Sequence, residues 1–154
     1  MHEHGENAEL AGELTEFGHR LKQRVYYEDT DFTGVVYHAR YLHFFERGRT
    51  DFLRVSGVSH TDLEAGAHSG GICEKLVWII RRMEIDYKAP AKIDDILTIE
   101  TRVLEISGAR IVMGQEIFCD GKLLCSAKVE AALVNGEGRP RRFPAEWRSA
   151  FQPR

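Results

Sequence analysis

Covalent staples are missing from this sequence. Its 154 residues hold three cysteines, Cys73, Cys119 and Cys125. That is an odd number, without the spacing of a metal site or the even count of a disulfide framework. Such usage fits a reducing compartment, and the cytoplasm is the expected location. No run of about 18 apolar residues occurs, so no membrane-spanning helix is predicted. The acidic, Ala- and Gly-rich start, Met1 to Gly18, lacks the apolar stretch of a secretory signal. Positive charge is not in excess either: 21 Lys and Arg stand against 24 Asp and Glu, for a net charge of −3. That balance gives no reason to expect a nucleic-acid partner. There is no internal repeat and no low-complexity block. Of the four prolines, Pro90 closes a strand pattern and the others, Pro140, Pro144 and Pro153, fall near the end. What remains, 43% hydrophobic and 29% charged residues, is ordinary for one globular domain with a substantial core.

What the chain does have is a change of period. Val25 to Val55 reads VYYEDTDFTGVVYHARYLHFFERGRTDFLRV. It is strand-like at first, passes through the acidic cluster Glu28-Asp29-Thr30-Asp31, and enters a loop, Phe32-Thr33-Gly34-Val35-Val36-Tyr37. From His38 onward the pattern is helical. Tyr41, Phe45, Gly48, Phe52 and Val55 recur at spacings of four and three, and Leu42 and Leu53 widen the stripe. Arg40, His43, Arg47, Thr50 and Arg54 fall on the opposite side. The spacing predicts a helix of about 18 residues, roughly 27 Å long.

A helix start presents backbone N–H groups without intrahelical partners and the positive end of the macrodipole. It attracts an anion, or a carbonyl oxygen becoming one under attack. Asp31 lies seven residues before His38, on a loop able to fold its carboxylate back toward the same spot. A carboxylate facing an electrophilic carbonyl, with N–H donors behind the oxygen, is the minimum kit for acyl hydrolysis. The same acidic residues serve equally well to cap the helix and solvate a loop. The pattern alone leaves both readings open.

Beyond this stretch the order is regular. His19 to Tyr27 reads as a first strand with Leu21, Gln23, Val25 and Tyr27 on one face. Gly57 supplies a helix stop. Ser59 to Ala67 carries a capping signature and predicts a short helix, and His68-Ser69-Gly70-Gly71 predicts a flexible joint. Period two then takes over. Val77, Ile79, Met83, Ile85 and Tyr87 share one strand face, with Arg82, Glu84 and Asp86 on the other, until Pro90. Leu97, Ile99, Thr101 and Val103 alternate in the next strand, and Ser107-Gly108 makes a turn. Ile111, Met113, Gln115 and Ile117 face inward after it. Asp120-Gly121 is a strong hairpin signal, and Leu123, Cys125, Ala127, Val129, Ala131 and Leu133 line the last strand. The fold class is α+β: a five- to six-stranded antiparallel sheet with one long helix against it. Gly48 in the helix stripe allows close approach to that sheet. Residues 1–18 are expected to form a mobile extension, 19–145 the domain, and 146–154 a tail, with one helical turn near Ala145 to Phe151. His2 and His4, at a floppy terminus, are read as solvated and not as a metal site.

The run Tyr26-Tyr27-Glu28-Asp29-Thr30-Asp31, then Gly34-Val35-Val36-Tyr37-His38, then Tyr41 and Phe44-Phe45-Glu46-Arg47, resembles the signature of hotdog-fold acyl-CoA thioesterases. The branch it is most similar to is the Tol–Pal-associated thioesterases of the 4-hydroxybenzoyl-CoA thioesterase superfamily. The likeness continues through Arg81-Arg82-Met83-Glu84-Ile85-Asp86-Tyr87-Lys88-Ala89-Pro90-Ala91 and Asp94-Asp95. It implies a hotdog fold, with the sheet curled around the central helix, and hydrolysis of acyl-CoA to free acid and CoA. It also implies Asp31 as nucleophile or general base and the backbone N–H of His38 as the oxyanion donor, with Gly34, Val35, Val36 and Tyr37 shaping the loop that binds the acyl group. No metal and no organic cofactor is expected. A homodimer or homotetramer with sites between subunits is expected, and an acyl carrier protein is a further partner the resemblance allows. Phe32-Thr33 departs from the small residues usual there, which bears on the substrate more than on the reaction.

Rival carboxylates are Asp29, which an extended backbone would point the same way as Asp31, and Glu46, which has Arg47 and Arg49 as ion-pair candidates. Arg81, Arg82 and Lys88 are candidates for coenzyme phosphates. Two other functions are compatible with the pattern: a hotdog hydratase or dehydratase using His38 beside Asp31, and a non-catalytic acyl-carrier or envelope-complex binding module.

Overall fold

Both periods find their place in a single sheet and one long helix. The computed structural model describes residues 10–57 and 74–153. Its strands are β1 (Glu13–Leu14), β2 (His19–Arg24), β3 (Leu76–Tyr87), β4 (Ile96–Ser107), β5 (Arg110–Cys119) and β6 (Lys122–Asn135). Its helices are α1 (Arg40–Val55) and α2 (Ala145–Ala150), with a 3-10 turn at Tyr27–Asp29. The sheet order is β1-β2-β4-β5-β6-β3, and every neighbouring pair is antiparallel. This is the expected α+β hotdog arrangement, with six strands. The short helix expected over 59–67, the joint at 68–71, Cys73, His2 and His4 lie outside the described residues.

Tight turns set the register of the central strands. Asp120 and Gly121 both take positive φ, 50° and 78°, as a two-residue turn matching strand twist requires. Leu97, Ile99, Thr101 and Val103 from β4, and Ile111, Met113, Gln115 and Ile117 from β5, are accordingly all buried. β3 departs from the simple alternation. Its pairing with β6 shifts register between Ile80 and Arg82, and the extra residue of that bulge flips the parity. Leu76 faces the core ahead of the bulge and Met83 and Ile85 pack against it after, whereas Val77 and Ile79, expected inside, are 47% and 42% exposed. β2 also ends earlier than the alternation suggested, at Arg24, because the chain coils into the 3-10 turn; Tyr27 is exposed.

Helix α1 begins at Arg40, two residues later than expected, and its 16 residues span roughly 24 Å. Tyr41, Phe44, Phe45, Gly48, Asp51, Phe52 and Leu53 are buried, so Phe44 belongs to the inner face and Leu42 does not. Phe44 and Phe45 are fully enclosed, each contributing about 1.5–3 kcal/mol of apolar burial. Gly48 lets the backbone close on the sheet: a Cβ there would stand 2.8 Å from Ile99 Cγ2 and 3.1 Å from Thr101 Oγ1. Gln115 completes this seam, donating to Phe45 O and to Thr101 Oγ1, both at 2.9 Å, and accepting from Arg49 Nη1 at 2.9 Å.

Both chain ends add to the body. Glu13–Leu14 pairs with β2, and the Gly12 N–H donates to Asp51 Oδ2 at 2.7 Å. The same oxygen meets His19 Nε2 at 2.7 Å, and the His19 ring stacks on Phe52. At the other end Phe143, Trp147 and Phe151 enter the cluster formed by Phe52, Leu53, Val103, Ile111 and Leu133. A second cluster, around Val25, Tyr41, Phe44, Phe45 and Ile99, lies beneath the opposite end of α1.

Candidate active site

The loop between β2 and α1 is a miniature hairpin laid over that second cluster. Thr30 bridges to Val36, and Val35 bridges to Lys92. The Asp31 N–H donates to Val35 O at 2.9 Å and the Gly34 N–H to Asp31 O at 3.2 Å, making Asp31-Phe32-Thr33-Gly34 a turn. Gly34 takes φ 88°, a region that side chains disfavour. The Val36 N–H donates to Ala91 O at 2.9 Å and the Tyr37 N–H to Asp29 O at 3.0 Å. Of the four residues expected to shape the acyl site, Val36 is the buried anchor, Val35 is half-buried, and Gly34 and Tyr37 are exposed. Phe32 at the tip is fully exposed.

Asp31 and Asp29 have opposite environments. Asp31 Oδ1 accepts from the Thr33 hydroxyl at 2.6 Å and the Thr33 N–H at 2.8 Å. These bonds, the hydroxyl's first, hold its carboxyl below the usual 3.8, so it is ionised at neutral pH and open to solvent. The 3-10 turn carries Asp29 inward instead. It is 1% exposed, Oδ2 accepts the Tyr26 N–H at 2.9 Å and Oδ1 lies 3.4 Å from Arg40 Nε. Arg40 also donates to Glu28 O at 3.1 Å and meets His43 Nδ1 at 3.2 Å. Asp29 is therefore a buried clamp between loop and helix, satisfied as a buried charge must be. Sequence reasoning placed Arg40 on the solvent side and missed this clamp. The available signal was a cation in the first turn, where the macrodipole disfavours it unless a partner holds it.

Glu46 is exposed and sits six residues into the helix, about 9 Å from its start. Of its expected partners, Arg49 feels the Glu46 charge but donates to Gln115, and the Arg47 guanidinium lies 5.9 Å from the Phe44 ring centre. Burial pushes the Cys125 thiol up to about 12, with Asp86 adding to the effect. Burial, with Asp95 and Asp120, raises Cys119 as well, so neither is a thiolate nucleophile. Arg82 pairs with Glu84 at 2.8 Å on the outer strand face. Among the described residues no group of three His, Cys, Asp or Glu side chains is arranged to hold a metal, and no helix is long and apolar enough to cross a membrane.

The start of α1 bears on the capping reading of the acidic cluster. Its N-cap, Ala39, has no side-chain cap, and the first turn contains no acidic residue. The acids upstream therefore do not cap this helix. The Arg40 N–H reaches Tyr37 O at 2.8 Å and the Leu42 N–H reaches Ala39 O at 3.2 Å, but the His38 and Ala39 N–H groups donate to nothing among the described residues. Two amides at the positive end of a 16-residue helix are thus open to a ligand oxygen. His38 itself is exposed, its ring 4.5 Å from that of Tyr37.

A six-stranded antiparallel sheet wrapped on one helix, with a loop carboxylate leading into an uncapped helix start, defines a hotdog-fold protein. The chain belongs to the thioesterase-like superfamily, whose family model matches residues 25–151. It is 43% identical over 136 residues to the acyl-CoA thioesterase YbgC of Haemophilus influenzae, covering 87% of this chain and 94% of that protein. To the acyl-CoA thioester hydrolase YbgC of Escherichia coli it is 40% identical over 127 residues, covering 81% of this chain and 89% of that protein. The crystal structure of a probable thioesterase from Bartonella henselae superposes with a TM-score of 0.77 at 52% identity, covering 82% of this chain and 98% of that one.

Proposed function

We propose that this chain hydrolyses acyl-CoA thioesters to free acid and CoA, with Asp31 as the carboxylate that starts the reaction and the His38 amide as the oxyanion donor. The activity is that of an acyl-CoA thioesterase, the name carried by the relatives at 40–43% identity. The observation that supports the site assignment is the uncapped start of α1, with free amides at His38 and Ala39, following an ionised, solvent-open carboxylate on the same short loop. Asp31 has two routes. As nucleophile it attacks the thioester carbonyl, CoA leaves as thiolate, and water cleaves the resulting mixed anhydride. As general base it takes a proton from a water that attacks directly. In both, negative charge develops on the carbonyl oxygen, where helix-start amides act most strongly. Neither route calls on a metal or an organic cofactor.

Gly34, Val35, Val36 and Tyr37 form the wall that the acyl group meets, and Phe32 at its rim bears on acyl selection. The loop stands on the surface of the single chain, which suits a site completed by a second copy. β3 supplies the means: it is an edge strand whose Val77, Ile79 and Ile80 are 42–47% exposed, the kind of edge that proteins cover by pairing. A homodimer or homotetramer in the cytoplasm is part of the proposal, and an acyl carrier protein is the other carrier whose thioesters merit assay.

The test is release of free thiol from a panel of acyl-CoAs by the purified protein. Asp31→Asn is expected to fold normally and to lose about 10²–10⁴-fold in kcat. Undiminished turnover in that variant would return the role to another carboxylate. Single turnover in ¹⁸O-water then tests the nucleophilic route: label in the Asp31 side chain shows an anhydride opened by water at the aspartyl carbon, whereas opening at the acyl carbon labels the product acid alone, as the general-base route does.

A further inference from the structure

We infer that Tyr87 is a positioning residue for this site, its hydroxyl holding the His38–Ala39 peptide so that the Ala39 N–H is presented beside that of His38 as a second oxyanion donor. The inference rests on the reading of the site given above.

Tyr87 is the last residue of β3, 49 positions from the residue it grips; its hydroxyl donates to His38 O at 2.8 Å. The carbonyl of His38 and the N–H of Ala39 belong to one peptide unit. That unit is planar and trans, since the described chain has no cis bonds, so the two groups point in opposite directions. Fixing the carbonyl therefore fixes the line along which the Ala39 N–H points. The hydroxyl also polarises the unit it bonds, which strengthens the N–H as a donor. Of the amides that follow, those of Arg40 and Leu42 are spent on Tyr37 O and Ala39 O.

The tyrosine is itself held. Its ring meets Tyr41 edge-on at 5.5 Å and His38 edge-on at 6.4 Å, and the Tyr41 hydroxyl is fixed by the Ala91 N–H at 3.0 Å. Burial, then Cys125, raises the Tyr87 phenol above its usual value, so it remains a donor through the neutral range. The free end of β3 is thereby used to set the amide geometry at the start of α1, a helix that enters the fold from a different loop.

Tyr87→Phe removes one hydroxyl and keeps the ring. Losing an oxyanion donor outright costs about 10²–10³-fold in kcat; a donor that remains but is misaimed is expected to cost about tenfold. KM for the same acyl-CoA is expected to stay within about twofold, the pattern of a lost transition-state interaction, and the acid limb of the pH profile, which belongs to Asp31, should not move. In ¹H–¹⁵N spectra of the full chain the Ala39 amide should shift, because the carbonyl of its peptide has lost a hydrogen bond. An unmoved Ala39 resonance, an unchanged kcat, or a raised KM with kcat intact would each overturn the inference, the last by making Tyr87 a substrate contact. Asp31→Asn measured alongside separates the two levels. Full activity in it removes the reading of the site and the inference together, whereas an inactive Asp31→Asn with a fully active Tyr87→Phe removes the inference alone.

Discussion

Thr33 sets the acidity of Asp31, and the effect is measurable. Its hydroxyl is the largest reason that the carboxyl sits below its ordinary value. The ionised form is the active one on either route, so a depressed value extends activity toward acid. Thr33→Val should raise the carboxyl toward 3.8 and move the acid limb of kcat/KM upward in pH, leaving the neutral plateau in place; the pH profile of the two proteins checks it. The bond from the Thr33 N–H to Oδ1 persists, so the shift is partial. At this scale the sequence was half legible. Asp29 and Asp31 are equivalent to any reading by alternation, because an extended chain sends both the same way. They differ because three residues, Tyr27–Asp29, coil into a 3-10 turn and swing one carboxylate under Arg40. Nothing in the local pattern announces that turn. Tyr87 was visible only as one more member of a strand face, since its partner lies in another element.

At the scale of elements, the seam between α1 and the sheet is the least tolerant contact. Alanine is favoured over glycine inside a helix by about 1 kcal/mol. Gly48→Ala would nevertheless place its Cβ 2.8 Å from Ile99 Cγ2 and 3.2 Å from Gln115 Nε2, and overpacking of that kind costs about 1–3 kcal/mol. The clash wins, because the side chains it meets are locked on a sheet that the Gln115 hydrogen bonds tie to the helix. We expect a net loss of up to about 2 kcal/mol in urea unfolding. Periodicity read β4, β5 and the Asp120-Gly121 hairpin correctly because their alternation is unbroken across the buried positions. It misread the first half of β3, where one added residue near Arg81 inverts inside and outside. A bulge leaves no mark in composition. The helix stripe was likewise found, but Asp51 was not. A buried acid is legible only with its partner, and His19 lies 32 residues away.

For the molecule as a whole, that pair links stability to pH. Burial pulls His19 below its usual 6.5, against Asp51, which accepts its hydrogen bond, and the more distant Glu13. The folded chain thus keeps the ring neutral, while the unfolded chain takes up a proton below 6.5. The stability involved is intact above that pH and drains away as pH falls from it toward the lower folded value. The melting temperature should fall across that window, and His19→Gln should flatten the part of the slope that His19 contributes. Scanning calorimetry at several pH values, on both proteins, decides it. Glycine at position 12 closes this pair from the N-terminal side: a Cβ there would stand 2.3 Å from Arg20 O and 2.8 Å from His19 Nε2.

Near the C-terminus, Phe143, Trp147 and Phe151 enter the cluster under the C-terminal half of α1. A premature stop codon after Arg142 would leave the reacting loop and its helix start untouched in sequence. It would also hollow out the far side of the same helix, where each missing aromatic is worth about 3–5 kcal/mol, a sum comparable to the whole stability of a small domain. Nonsense alleles this late would be lost to proteolysis as unfolded chains, and a genetic screen would score them as nulls although no reacting group had been deleted.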